Sequence, residues 1–151
     1  MARHLSGNLR LPSLDVAAFT ALLDEYMPQV RDDGFAVREM GWGRCVMDVG
    51  ASPRTIRAGG TISGPTMFAL ADVALYGAVL SQIGHVPLAV TSNMTIHFLK
   101  KPPPRALVGE ARILKPGKRL AYGEVLIHSD GDPDPVAHAT GTYAIPAATP
   151  A

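Results

Sequence analysis

The chain has 151 residues, enough for one domain that removes roughly 70% of its unfolded surface from water. Its 14 basic and 13 acidic residues leave a net charge of +1, which excludes a broad electrostatic footprint for nucleic acid or anionic lipid, so any anion site must be local. One cysteine, Cys45, excludes an internal disulfide, and the opening "MARHLSGNLRLPS" lacks the apolar run of a secretory signal, so the expected location is cytoplasmic.

In chain order, residues 1–12 are expected to form a flexible arm of a single domain. The stretch 14–27, "LDVAAFTALLDEYM", places Leu14, Phe19, Leu22, Leu23 and Tyr26 near helical spacing, with Ser13 as N-cap and Pro28 as the stop. "GFAVREM" and "GRCVMDVGA" read as a hairpin turning around Gly41 and Gly43. "SPRTIRAGGTI" has no period and reads as a loop. A helix follows from about Gly64 to Ser81, with Pro65 in its first turn, where a missing N–H costs little.

That helix is apolar on nearly every side, and the run from Ile62 to Gly84 is long enough to span a bilayer. It carries Asp72 near its middle, however, and sits among strand patterns, so it reads as the buried centre of a soluble fold rather than a membrane segment. The nearest fully charged residues to Asp72 are Arg57 and Lys100.

Four period-two segments complete the chain. Met94, Ile96 and Phe98 share one face of the first, opposite Asn93, Thr95 and His97. Leu107, Gly109, Ala111 and Ile113 share a face of the second, and Ala121, Gly123, Val125 and Ile127 a face of the third. Ala137, Ala139, Gly141 and Tyr143 share a face of the fourth. Glycine and alanine weaken a strand by propensity alone, so their grouping on the inward faces implies a bulky element lying close against them. The apolar helix is that element. The expected fold class is α+β: a curved antiparallel sheet wrapped around one long central helix, with a short N-terminal helix and a flexible tail at 147–151.

Over about residues 34–146 the order of elements and the motifs resemble the hotdog-fold acyl-CoA thioesterases, especially the phenylacetyl-CoA type. The stretch "SGPTMFALAD" resembles that family's central-helix opening, with Gly64 at its first glycine and Leu70, Ala71 and Asp72 at its Leu-Ala-Asp. "IHFLKKP", "LKPGKRLAYGEV" and "AHATGTYAI" resemble its later strands. The chain departs from the pattern at Ser63, where the family has histidine, and at Pro65, where it has a second glycine. Arg57 stands where relatives place asparagine or glutamine.

The resemblance implies hydrolysis of an acyl- or aryl-CoA thioester, with Asp72 as base or nucleophile and the Gly64 N–H as oxyanion donor. Physical chemistry permits both roles, because the first N–H groups of a helix lack intrahelical partners and its dipole favours negative charge there. Asp72 lies eight positions beyond Gly64, so the two backbones are about 12 Å apart along the axis. One carbonyl cannot touch both. If both act on one substrate, the site lies between two copies, and a homodimer or dimer of dimers is expected.

Other readings stand beside this one. Asp72 as a merely hydrogen-bonded aspartate at a subunit contact is the plain alternative. Ser63 reads as an N-cap, with no G-x-S-x-G elbow to make it a nucleophile, and with Pro65 and Asn93 it is an expected substrate contact. Arg57 either holds a substrate anion or is a solvated loop charge. Lys100, Lys101, Lys118 and Arg119 are expected to meet coenzyme A phosphates, against the alternative of a solvated turn surface. His97, His128 and His138 have no metal-ligand spacing, and no cofactor is expected beyond the coenzyme A of the substrate. A protein that holds acyl-CoA without cleaving it, or an oligomer with no ligand, are the competing functions.

Overall fold

The structure, a computed structural model, describes residues 10–147. Helix α1 runs Val16–Tyr26, and its cap is Asp15, whose carboxylate accepts the Ala18 N–H at 2.8 Å. The expected cap, Ser13, instead gives its backbone N–H to the Ser81 carbonyl at 2.7 Å, tying the incoming segment to the central helix. Pro28 stops α1 as expected, but at once opens a single turn, α2, over Gln29–Asp32. Four residues are too few to show a helical period in sequence. Of the expected N-terminal arm, Arg10 lies over the Trp42 ring at 3.6 Å from its centroid; positions 1–9 and 148–151 lie outside the described residues.

Strands β1 (Phe35–Gly41) and β2 (Arg44–Val49) form the hairpin read from the sequence, turning at Trp42 and Gly43, whose φ of 70° favours glycine. Helix α3 runs Gly64–Ile83, two residues beyond the expected end, and closes on Gly84 at φ 83°. Strands β3 (Val90–Phe98), β4 (Leu107–Lys115), β5 (Leu120–Ser129) and β6 (Pro135–Ala144) complete one antiparallel sheet in the order β1-β2-β4-β5-β6-β3. The sheet curves around α3, the hotdog arrangement. α3 is long and apolar enough to cross a bilayer by composition, yet 72% of its most apolar window is buried within the fold.

The small inward residues do what their grouping implied. A Cβ on Gly109 would stand 3.0 Å from Leu70, one on Gly123 2.6 Å from Leu75, and one on Gly141 3.0 Å from Leu75. On α3 itself, a Cβ on Gly77 would stand 2.5 Å from the Cys45 sulfur. Helix and sheet therefore meet at a distance that a methyl group would forbid. Phe19, Met47, Leu70, Leu75, Leu80 and Ile127 fill the core between them. The outer face of the sheet is polar and carries Arg44 between Glu39 and Glu110, and Glu124 between Arg112 and His138.

Candidate active site

Asp72 sits eight residues into α3, on the side turned toward β3 and β6. Two hydroxyls converge on the same carboxylate oxygen: Thr91 of β3 donates to Oδ1 at 2.6 Å, and Tyr143 of β6 reaches it at 2.7 Å. The Tyr143 oxygen also lies 2.9 Å from the Asp72 carbonyl. Among the described residues nothing donates to Oδ2, and Asp72 has no cation partner. The carboxylate borders a cavity of about 140 Å³ walled by Met27, Val73, Tyr76, Pro87, Ala89 and Val90.

Tyr143 is 4% exposed, and its ring stacks on Tyr76 at 5.8 Å between centroids. Burial first, and then the charge of Asp72, push its phenol well above the ordinary value of 10, so it remains a proton donor. Tyr76 is pushed up to about 12, mainly by burial, and donates to the Pro87 carbonyl at 2.9 Å. The cavity wall is thus fixed by two neutral phenols.

The N-terminus of α3 shows which backbone donor is free. Ser63 caps the helix, its hydroxyl accepting the Thr66 N–H at 3.2 Å and lying 2.7 Å from the Thr66 hydroxyl. The Met67 N–H goes to the Ser63 carbonyl at 3.2 Å, and Pro65 has none to give. Of the first turn, the Gly64 N–H alone has no acceptor among the described residues. Gly64 borders a larger cavity of about 480 Å³, with Arg57, Met67, Phe98, Leu99, Lys100 and Lys101 on its walls. A side chain at Gly64 would press on the Phe98 ring, 3.3 Å from its would-be Cβ.

The structure therefore gathers Gly64, Arg57, Lys100 and Lys101 in one place and puts Asp72 in another. Ser63 and Pro65 border a third cavity, of about 340 Å³, with Arg54 and Thr55. Asn93 is exposed on β3, opposite Thr142. Lys100 is bound to Asp134 at 2.6 Å and lies 3.6 Å from Asp132, while Lys101 and Arg57 have no ion pair among the described residues. Lys118 and Arg119 occupy the β4–β5 turn at the other end of the sheet, where Leu120 and Val90 both pair with Ala144. Within one chain the four basic residues are not one cluster. Thr91 and Tyr143 escaped the sequence reading. A tyrosine on an inward strand face needs a partner for its hydroxyl, and that rule would have pointed from Tyr143 to the carboxylate on the helix beneath it.

Comparison with known proteins agrees with this architecture. The model of the thioesterase superfamily matches residues 59–136. A crystal structure of a candidate thioesterase from Silicibacter sp. TM1040 is 42% identical, covers 93% of this chain and 97% of its own, and superposes with a TM-score of 0.83. The chain belongs to the thioesterase superfamily. The PaaI protein of the E. coli phenylacetic acid degradation operon (22% identity, 89% and 95% coverage, TM-score 0.78) shares the fold. So does zebra fish thioesterase superfamily member 2 (20% identity, 87% and 95% coverage, TM-score 0.74). No curated protein matches the chain by sequence.

Proposed function

We propose that the protein hydrolyses the thioester of an acyl- or aryl-coenzyme A, with Asp72 as base or nucleophile and the Gly64 N–H as oxyanion donor. The observation that carries this reading is the Gly64 N–H, the one first-turn donor of α3 with no acceptor among the described residues, on a residue that lines the same cavity as Arg57 and Lys101. Asp72 supplies the other half of the chemistry, since its Oδ2 has no donor among the described residues and the carboxylate borders an apolar cavity.

The two groups meet only if two copies assemble. Among the described residues strand β3 is a sheet edge that pairs with β6 alone; it carries no Asp, Glu, Lys or Arg from Val90 to Phe98 and leaves Val90 and Phe98 exposed. Antiparallel pairing of two such edges about a two-fold axis sets the Phe98 end of one beside the Val90 end of the other. Gly64 packs at the first end and Thr91, with Asp72, at the second, so Asp72 of one copy faces Gly64 of the partner subunit. The same operation brings Lys118 and Arg119 of the partner subunit to the end that holds Lys100 and Lys101. Coenzyme A phosphates would lie against this combined group.

Release of free thiol from acetyl-, hexanoyl- and phenylacetyl-coenzyme A, followed with a thiol reagent, tests the reading. Asp72→Asn is expected to lower kcat by about a hundredfold to ten-thousandfold for whichever ester is cleaved best; unchanged turnover removes Asp72 from the mechanism. The second reading, binding without cleavage, is favoured by Ser63, whose hydroxyl is occupied in capping its own helix. Tight calorimetric binding of these esters with no thiol release would establish it instead.

A further inference from the structure

We propose that Tyr143 is the positioning residue of the site: its hydroxyl, with that of Thr91, occupies Oδ1 of Asp72 and so presents Oδ2 to the reacting group. This rests on the hydrolase reading above and adds to it a residue and a division of labour between the two carboxylate oxygens.

A carboxylate on a helix rotates about two side-chain bonds, and an exposed aspartate samples several orientations. Here both donors meet one oxygen from two different strands, Thr91 at 2.6 Å from β3 and Tyr143 at 2.7 Å from β6. Charge-assisted hydrogen bonds of this length are about twice as strong as neutral ones. Two of them from fixed points define the carboxylate plane. A phenol has one proton, and the charged oxygen competes for it better than the Asp72 carbonyl at 2.9 Å, so the donation goes to Oδ1. A structural aspartate gains most when both oxygens are satisfied; among the described residues this one has a second oxygen without a donor, on a side chain that borders a cavity.

The fold holds Tyr143 in place through its stacking partner and the close approach of α3. Its ring stacks on Tyr76 with 21° between planes, and the Tyr76 hydroxyl is anchored on the Pro87 carbonyl. Two residues earlier on β6, Gly141 lets Leu75 of α3 press against the strand, which brings the helix within reach of the phenol. A larger residue there would lift α3 away. The reactive carboxylate is therefore oriented by neutral donors that neither titrate in the working range nor compete for the substrate.

The test compares Tyr143→Phe, Thr91→Val, Thr91→Ser and Asp72→Asn, alone and in pairs, on the best cleaved of acetyl-, hexanoyl- and phenylacetyl-coenzyme A. Tyr143→Phe keeps the ring and its stacking, and is expected to lower kcat about tenfold or more with KM within about twofold. Thr91→Val should do the same, and Thr91→Ser should restore activity. In the Asp72→Asn background, Tyr143→Phe is expected to cause no further loss, because it acts through the carboxylate. Full kcat in Tyr143→Phe, or losses that simply add, would overturn the positioning role while leaving Asp72 as the base. No thiol release from any ester, or full activity in Asp72→Asn, would overturn the hydrolase reading itself and this inference with it. Should Tyr143→Phe fail to fold, judged by its thermal melt, the Thr91→Val and Thr91→Ser pair decides whether two converging donors are needed.

Discussion

Ser63 and Pro65, the two departures from the family pattern, become intelligible one side chain at a time. The Ser63 hydroxyl takes the Thr66 N–H, and Pro65 fills a position whose N–H the helix cannot use, so between them they leave Gly64 as the open donor. Ser63→Ala is expected to cost about 1 kcal/mol of stability in urea unfolding, the usual value of a lost N-cap. Cys45 is fully buried against α3, and burial pushes its thiol up to about 12. It is therefore expected to stay silent toward a thiol reagent in the folded protein and to react as one equivalent after denaturation, which a colorimetric titration reads directly. Asp72 was legible in the sequence because a lone carboxylate inside an apolar helix is costly and conspicuous. Its partners were not, since Thr91 and Tyr143 lie 19 and 71 positions away and are joined to it only by packing.

Between elements, the decisive feature is how close α3 comes to the sheet. A Cβ on Gly123 would lie 2.5 Å from the Arg112 carbonyl oxygen as well as 2.6 Å from Leu75, and a backbone atom cannot move aside as a flexible side chain can. Gly123→Ala is expected to destabilise by about 1–3 kcal/mol, the usual range for overpacking, with a matching fall in the urea midpoint. Strands β4, β5 and β6 were readable from alternation because one face of each is buried against α3. Strand β3 followed the same alternation while leaving much of its surface exposed, as an edge does. The cap of α1 was misplaced by two positions, since Ser13 and Asp15 are both good caps and only the contact of Ser13 with Ser81 decides between them. α2 left no periodic trace at all.

For the molecule as a whole, charge sits on the outer face of the sheet and responds to pH there. The hydrogen bonds from His138 first, then Arg112, hold the Glu124 carboxyl below its ordinary value near 4.5. A carboxylate whose folded value is depressed contributes stability that is present above the unfolded value and lost as pH falls through the folded one. Glu124→Gln should therefore lower stability at neutral pH and flatten the fall of the stability curve below about pH 4.5, where the two proteins converge, as read by urea melts across that range. The proposed two-copy site makes a separate demand: activity per chain should fall on dilution together with the dimer fraction seen in sedimentation. The sheet has two borders of unlike character. β1 places Arg38 and Glu39 at its bulge, whereas β3 is free of formal charge along its length. Only one border of each molecule thus invites a neighbour, and a seam formed there leaves no second welcoming strand behind it. The assembly proposed through β3 would therefore terminate at a closed pair instead of growing into a fibre.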